Sequence, residues 1–222
     1  MANLTLVNES KKVSDADFLI LVEATKKYVP LVTKAWGLPP MTVKGSKTRI
    51  AGDWNVVILD SFPNRAMNSV ATGYHEVKDN TPISYVRTFT KFTFGGWYKG
   101  SIIKGIVKRA PKVVYDGIST TLLHEVAEML VDPYLTLRKQ DAQGRNWMVE
   151  VCDHSHYSFD LPTTLNGVTT DVIAPDFTLP AFYSIGAKGP YSYQNNPKAP
   201  FTLGTGCYGY YEDANKKLIK LT

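Results

Sequence analysis

The stretch Asp116-Gly-Ile-Ser-Thr-Thr-Leu-Leu-His-Glu-Val-Ala-Glu-Met-Leu-Val-Asp-Pro133 reads as one helix with two unlike faces. Asp116 or Ser119 can accept the first free backbone N–H groups, and Pro133, which cannot continue a helix, stops it just past Val131. Advancing by about 100° per residue puts Thr121, His124, Glu125, Glu128 and Asp132 within one arc of about 100°, with Leu122, Leu123, Val126, Met129 and Leu130 opposite. The apolar side predicts docking on a core. The polar side sets an imidazole and a carboxylate one turn apart, His124 and Glu128, so that both can reach one ion.

Glu125 stands beside that pair without pointing at the same spot, the place that a general base occupies in the helical His-Glu-x-x-His motif of zinc enzymes. Here the spacing is His-Glu-x-x-Glu. A zinc site needs a third protein ligand and an open position. The run Met148-Val-Glu-Val-Cys-Asp-His-Ser-His-Tyr157 offers Glu150 and Asp153 as competitors for that place. In an alternating strand the two face opposite ways unless the strand ends or bulges near Cys152. The one that does not bind the ion can hold His124 by its free ring nitrogen. His154, His156 and Tyr157 are candidates to stand behind the ligands or to donate to a developing oxyanion. Cys152 could be a ligand too, although a lone cysteine is more often a small buried residue. Asp132 either braces the helix end or supports the ligands. His75, in Gly73-Tyr-His-Glu76, reads as a loop or strand-end residue more than as a ligand.

Upstream, Phe18, Leu21, Val22, Val29 and Val32 recur at helical spacings between Ser14 and Trp36, with Ser14 as N-cap and Asp17 three residues on. This predicts one long helix that Pro30 should kink or end early, closed by Gly37 and Pro39-Pro40. Strands are predicted over Met41–Ile50, over Asp53–Phe62, whose run Val56-Val-Ile-Leu59 suggests burial on both faces, and over Ile83–Phe94. Downstream, Tyr134–Lys139 and Asn146–Cys152 should pair around Asp141–Gly144. Tyr157–Leu161 and Val168–Ile173 should pair around Asn166-Gly167, a turn dipeptide that tolerates positive φ. Cys207–Tyr211 and Leu218–Leu221 form a last hairpin, and the chain from about residue 174 is rich in Pro, Gly and Tyr and otherwise irregular. The class that follows is α+β in one domain over 1–222.

At 222 residues, with 44 % hydrophobic and 20 % charged residues, the chain can bury a core and is too weakly charged to be disordered. Its net charge of +5 is scattered in ones and twos among acids, which argues for a solvated surface and against a nucleic-acid face. Phe18–Val22 is too short for a signal-peptide core, and no stretch approaches the roughly 20 apolar residues that span a membrane. Two cysteines exclude a disulfide framework but not a single bridge. The expected setting is the cytoplasm, or export by an unusual route.

Three motifs in order, Leu123-His-Glu-Val-Ala-Glu-Met-Leu-Val-Asp-Pro133, Val149-Glu-Val-Cys-Asp153 and Asp176-Phe-Thr-Leu-Pro-Ala-Phe-Tyr183, resemble a group of bacterial and phage proteins, as does Gly73-Tyr-His75 ahead of Tyr85-Val86. The likeness covers about residues 70 to 185, and the group is similar to zincin-type metallopeptidases. The resemblance implies a zincin-like fold, a mixed sheet packed on a long N-terminal helix and a metal-site helix, with β-hairpins in the C-terminal half. It implies Zn2+ held by His124, Glu128 and either Glu150 or Asp153, with Glu125 as the base that activates water against a peptide or protein substrate. Glu128 in place of a second histidine adds negative charge and should weaken the Lewis acidity of the ion. The alternative is a catalytically silent zincin-like structural or binding protein, and the phage members of the group make a virion-associated setting an alternative to the cytoplasm.

Overall fold

The computed structural model describes residues 3–69, 71–88, 106–109, 112–115, 117–155, 157–204, 206–213 and 215–222. The chain starts in a strand buried along its whole length, β1 (Leu4–Asn8), and passes into α1 (Asp15–Trp36). Ser14 Oγ accepts the Asp17 N–H at 3.1 Å and donates to the Asp17 carboxylate at 2.6 Å, so the cap works as its spacing predicts. Gly37 ends the helix at φ 64°, a conformation that costs glycine little. The helix does not end at Pro30 but runs on to Trp36. Pro30 and Lys26 face solvent, so the Lys26 carbonyl left without a helical donor is turned to water.

Three strands follow, β2 (Val43–Ser46), β3 (Trp54–Leu59) and, after a short 3-10 turn, β4 (Gly73–Lys78). The expected strand from Met41 to Ile50 is cut to β2, because Ser46 Oγ donates to the Thr48 carbonyl and accepts its N–H, which turns the chain. A two-residue turn with Asp79 and Asn80 at φ 49° and 57° joins β4 to β5 (Thr81–Arg87). The part of the expected strand beyond Thr88, Trp97 and the Asp116 cap lie outside the described residues.

β1 pairs in parallel with β2 and β3, β3 in parallel with β5, and β4 antiparallel with β5, giving a mixed five-stranded sheet in the order β2-β1-β3-β5-β4. A small hairpin, β6 (Ile106–Arg109) and β7 (Lys112–Tyr115), precedes α2 (Ile118–Val131). Ser119 lies inside α2, and Gly117 at the N-cap supplies no side-chain bond. The second half is built from antiparallel pairs: β8 (Arg138–Gln140) with β9 (Asn146–Met148), β10 (Ser158–Leu165) with β11 (Val168–Pro175), and β12 (Gly209–Glu212) with β13 (Leu218–Leu221), β12 also joining β9. The Asn166-Gly167 turn forms as expected, at φ 50° and 78°. β8 starts later than Tyr134, because the Asp132 carboxylate takes the Thr136 and Leu137 N–H groups, both at 2.9 Å, and Leu135 sits at φ 57°.

The protein is α+β. Leu4, Leu6, Val56, Ile58 and Val86 of the sheet meet Phe18, Leu21 and Tyr28 of α1 and Leu122, Leu123, Val126 and Met129 of α2 in one core. Each such large side chain, fully buried, contributes about 1.5–3 kcal/mol. The opposite sheet face carries a smaller cluster of Val7, Val57, Leu59, Phe62, Ile83 and Tyr85. The β10–β11 hairpin closes over the helices, with Leu161, Val172 and Ala174 in the same core. Cys152 and Cys207 are both buried and unbridged.

Candidate metal centre

Core burial fixes α2 so firmly that its polar arc also has nowhere to go. Of the residues of this helix, all but Thr120 and His124 are buried. The arc read in the sequence as a hydrophilic face is therefore roofed, on one side by β4 and on the other by the chain that follows β9. Gly73 makes the roof possible: a Cβ there would stand 2.6 Å from Glu125 Oε1 and 2.9 Å from the Thr121 methyl. His75, two residues on and so on the same face of β4, turns its ring inward, with Nδ1 3.7 Å from Glu125 Oε2.

On the other side β9 ends at Met148, and residues 151–154 form a turn. That end of the strand answers the problem of alternation, since Glu150 and Asp153 both reach the helix. His124 Nε2 lies 3.2 Å from Glu128 Oε1 and 3.3 Å from Asp153 Oδ1. The Cys152 N–H donates to Glu128 Oε1 at 3.3 Å and orients it. The Glu150 carboxyl lies against that of Glu128, and the Tyr208 hydroxyl donates to Asp153. Two sets of donors lie close enough for one ion each, His124 with Glu128 and Cys152, and His75 with Glu125 and Glu128, every ligand atom within 4.8 Å of the others in its set.

Four carboxylates, Glu125, Glu128, Glu150 and Asp153, share this space, and among the described residues only histidines form ion pairs with them. Buried like charges cannot all persist without cations. Burial would raise the Glu128 carboxyl, but His124, His75 and the Cys152 N–H hold it at about 2. Burial, with Glu128 beside them, pushes Glu150 well above the usual carboxylate range and also raises Asp153, His124 and Tyr208 opposing the latter shift. Burial likewise raises Glu125, against the pull of His75 and His124. Burial disfavours the His124 cation, yet Glu128, Cys152 and Asp153 outweigh it and the imidazole is raised well above its ordinary value. In the protein without a metal ion, protons do the neutralising.

The other candidates read from the sequence sit elsewhere or act structurally. Asp132 braces the turn after α2 through its two backbone bonds. His154 is wholly buried, stacked on Phe182 with ring centroids 5.3 Å apart and with Nδ1 2.7 Å from the Tyr183 hydroxyl. Tyr157 rests its ring against Gly204. His156 lies outside the described residues. Of two further residues of the cluster, His75 reads from the sequence as a loop or strand-end residue more than as a ligand, and Tyr208 is not singled out there. His75 is a buried strand residue, and the signal was its spacing of two from Gly73. Tyr208 arrives from the far end of the chain, and no local pattern announces it.

No helix among the described residues is long and apolar enough to cross a membrane. Set beside known protein families, curated proteins and solved structures, the chain finds no match, and the site is read from its own geometry.

Proposed function

We propose that the protein is a zinc-dependent hydrolase of the metallopeptidase kind, acting on a peptide or protein. The observation that supports this reading most is the set of His124, Glu128 and Cys152, whose ligand atoms all lie within 4.8 Å of one another, with Asp153 Oδ1 3.3 Å from His124 Nε2. The fit to a cation is chemical as well as geometric. Asp153 Oδ1 is buried and has no hydrogen-bond partner in the protein, and imidazole with carboxylates, or with the Cys152 thiolate, is a donor set that zinc accepts. His124 and Glu128 would hold the ion with Cys152 within reach as third ligand and Asp153 beside the His124 ring, Glu150 lying behind Glu128 and Tyr208 bracing Asp153.

Zinc in that position would supply Lewis acidity, polarising a carbonyl and bringing the ionisation of water into the neutral range. His124, with 23 % of its side chain exposed, marks the side open to substrate. Glu125, next to His124 on the helix, would serve as the base, taking a proton from the attacking water and passing it to the leaving amine. The burial of Glu125 under Gly73, at 4 % exposure, favours a second reading in which the ion only braces a silent domain.

Elemental analysis and peptide hydrolysis test both. His124→Ala should lose the zinc of the His124 centre, while Glu125→Gln should keep zinc at that centre and lose about 100-fold or more in rate. Equal zinc in His124→Ala and native protein would overturn the centre. Zinc without hydrolysis of any peptide in a diverse pool would select the silent domain.

A further inference from the structure

The cluster holds more ligands than one ion can use. His75, Glu125 and Glu128 present ligand atoms all within 4.8 Å of one another, and this set overlaps the His124 set only at Glu128. An ion with ligands at about 2.0–2.3 Å keeps them within about 4.6 Å of each other, and the 4.8 Å that bounds both sets is close to that limit, so each needs only a small inward shift of its side chains to bind.

Two further observations point to a ligand there. His75 and Glu125 are 9 % and 4 % exposed, His75 Nε2 makes no well-formed hydrogen bond, and Glu125 Oε2 has only the distant His75 Nδ1, at 3.7 Å, facing it. Buried polar atoms are nearly always satisfied, and each exception calls for a missing partner. Charge gives the second. Four carboxylates meet two histidines and, among the described residues, no ion pair from lysine or arginine. Four carboxylates around neutral imidazole ligands draw in more positive charge than one divalent ion supplies, as protons or as a second ion.

We infer that His75, Glu125 and Glu128 form a second divalent-cation site that shares the Glu128 carboxylate with the His124 centre. The inference rests on the reading of that centre as a metal site and extends it to a pair of ions bridged by one carboxylate, the arrangement of two-metal hydrolytic centres. An ion at the second site takes the Glu125 oxygen that would otherwise accept a proton. Filling that site and base catalysis by Glu125 are thus alternatives, and the concentration of free metal selects between them.

The experiment is zinc stoichiometry of the full chain, by elemental analysis after equilibration at buffered free zinc raised in steps. Native protein should load about two ions per chain in two phases. His75→Ala should load one, by losing the weaker phase. His75→Phe, which keeps the volume of the ring and removes both nitrogens, should do the same and guards against a folding defect, with circular dichroism confirming the fold of both. One ion in native and variant protein alike overturns the second site and leaves the His124 centre standing. Two ions in native and both variants place the second ion elsewhere and overturn it as well. No zinc in any of them overturns this inference together with the reading on which it rests.

Discussion

Buried carboxylates occur in two kinds of place in this protein, and the contrast between them separates scaffold from site. Asp176 is fully buried and saturated: Oδ2 accepts from Ser155 Oγ at 2.6 Å and Asn196 Nδ2 at 2.9 Å, and Oδ1 from the Phe177 and Gln194 N–H groups at 3.0 and 2.8 Å. Asp53 likewise meets Thr5 Oγ1 at 2.8 Å, Asn3 Nδ2 at 3.0 Å and Lys44 Nζ at 2.8 Å. Around His124 the acids instead face one another, and Glu125 Oε2 and Asp153 Oδ1 have no hydrogen-bond partner. Satisfied acids stabilise a fold by their own bonds. Acids crowded against one another stabilise it fully only when a cation arrives, because holding like charges together in a buried space costs several kcal/mol.

The largest expected effect tests that difference directly. Zinc at about 1,000 times its dissociation constant should stabilise the protein by about 4 kcal/mol, raising Tm by about 10 °C, and a chelator should reverse it. A thermal melt indifferent to zinc and chelator would put the His124 acids in the same class as Asp176. Next in size, Asp176→Ala should cost about 3 kcal/mol, since it leaves buried donors unpaired, and should lower Tm by about 10 °C while zinc content stays unchanged. Loss of zinc in that variant would join the two kinds of acid.

The smallest effect concerns Asp53, whose carboxyl is lowered from 3.8 to about 2 by Lys44, Thr5 and Asn3 acting against burial. A depressed folded value means that the charged form binds its partners better in the native state. The contribution is therefore fully present above the unfolded value of 3.8 and is lost as the pH falls from there through about 2. Lys44 is 40 % exposed, so after screening by water the loss amounts to about 1 kcal/mol. Urea unfolding at about pH 5 and about pH 2.5 should show the Asp53→Asn variant with a shallower acid limb than the native chain. Equal limbs would remove Asp53 from the satisfied class.

Local chemistry made some of the fold legible. Asn166-Gly167 announced its hairpin because positive φ at two successive positions is a property of those residues themselves. Ser14 with Asp17 announced the start of α1 for the same reason. β4 went unread because Asp79-Asn80 reaches positive φ without a glycine and its strand is short and polar. Pro30 does not end α1, because whether a proline stops a helix depends on whether the carbonyl it strips faces water, and that is settled by which side of the helix the core takes.

The sequence by itself determined that a helix would carry His124, Glu125 and Glu128 on one arc and leucines, valine and methionine on the other, since a period of 3.6 leaves no other arrangement. It also bounded the third partner to the run around Cys152. The tertiary structure alone decided that the polar arc is roofed, that β9 stops early enough for Glu150 and Asp153 to converge, and that His75 and Tyr208 join them. Those outcomes depend on contacts between residues far apart in the chain, where close approach of β4 at Gly73 and the end of a strand at Met148 set the distances. Helical period fixes which side chains travel together, and only packing fixes what they meet.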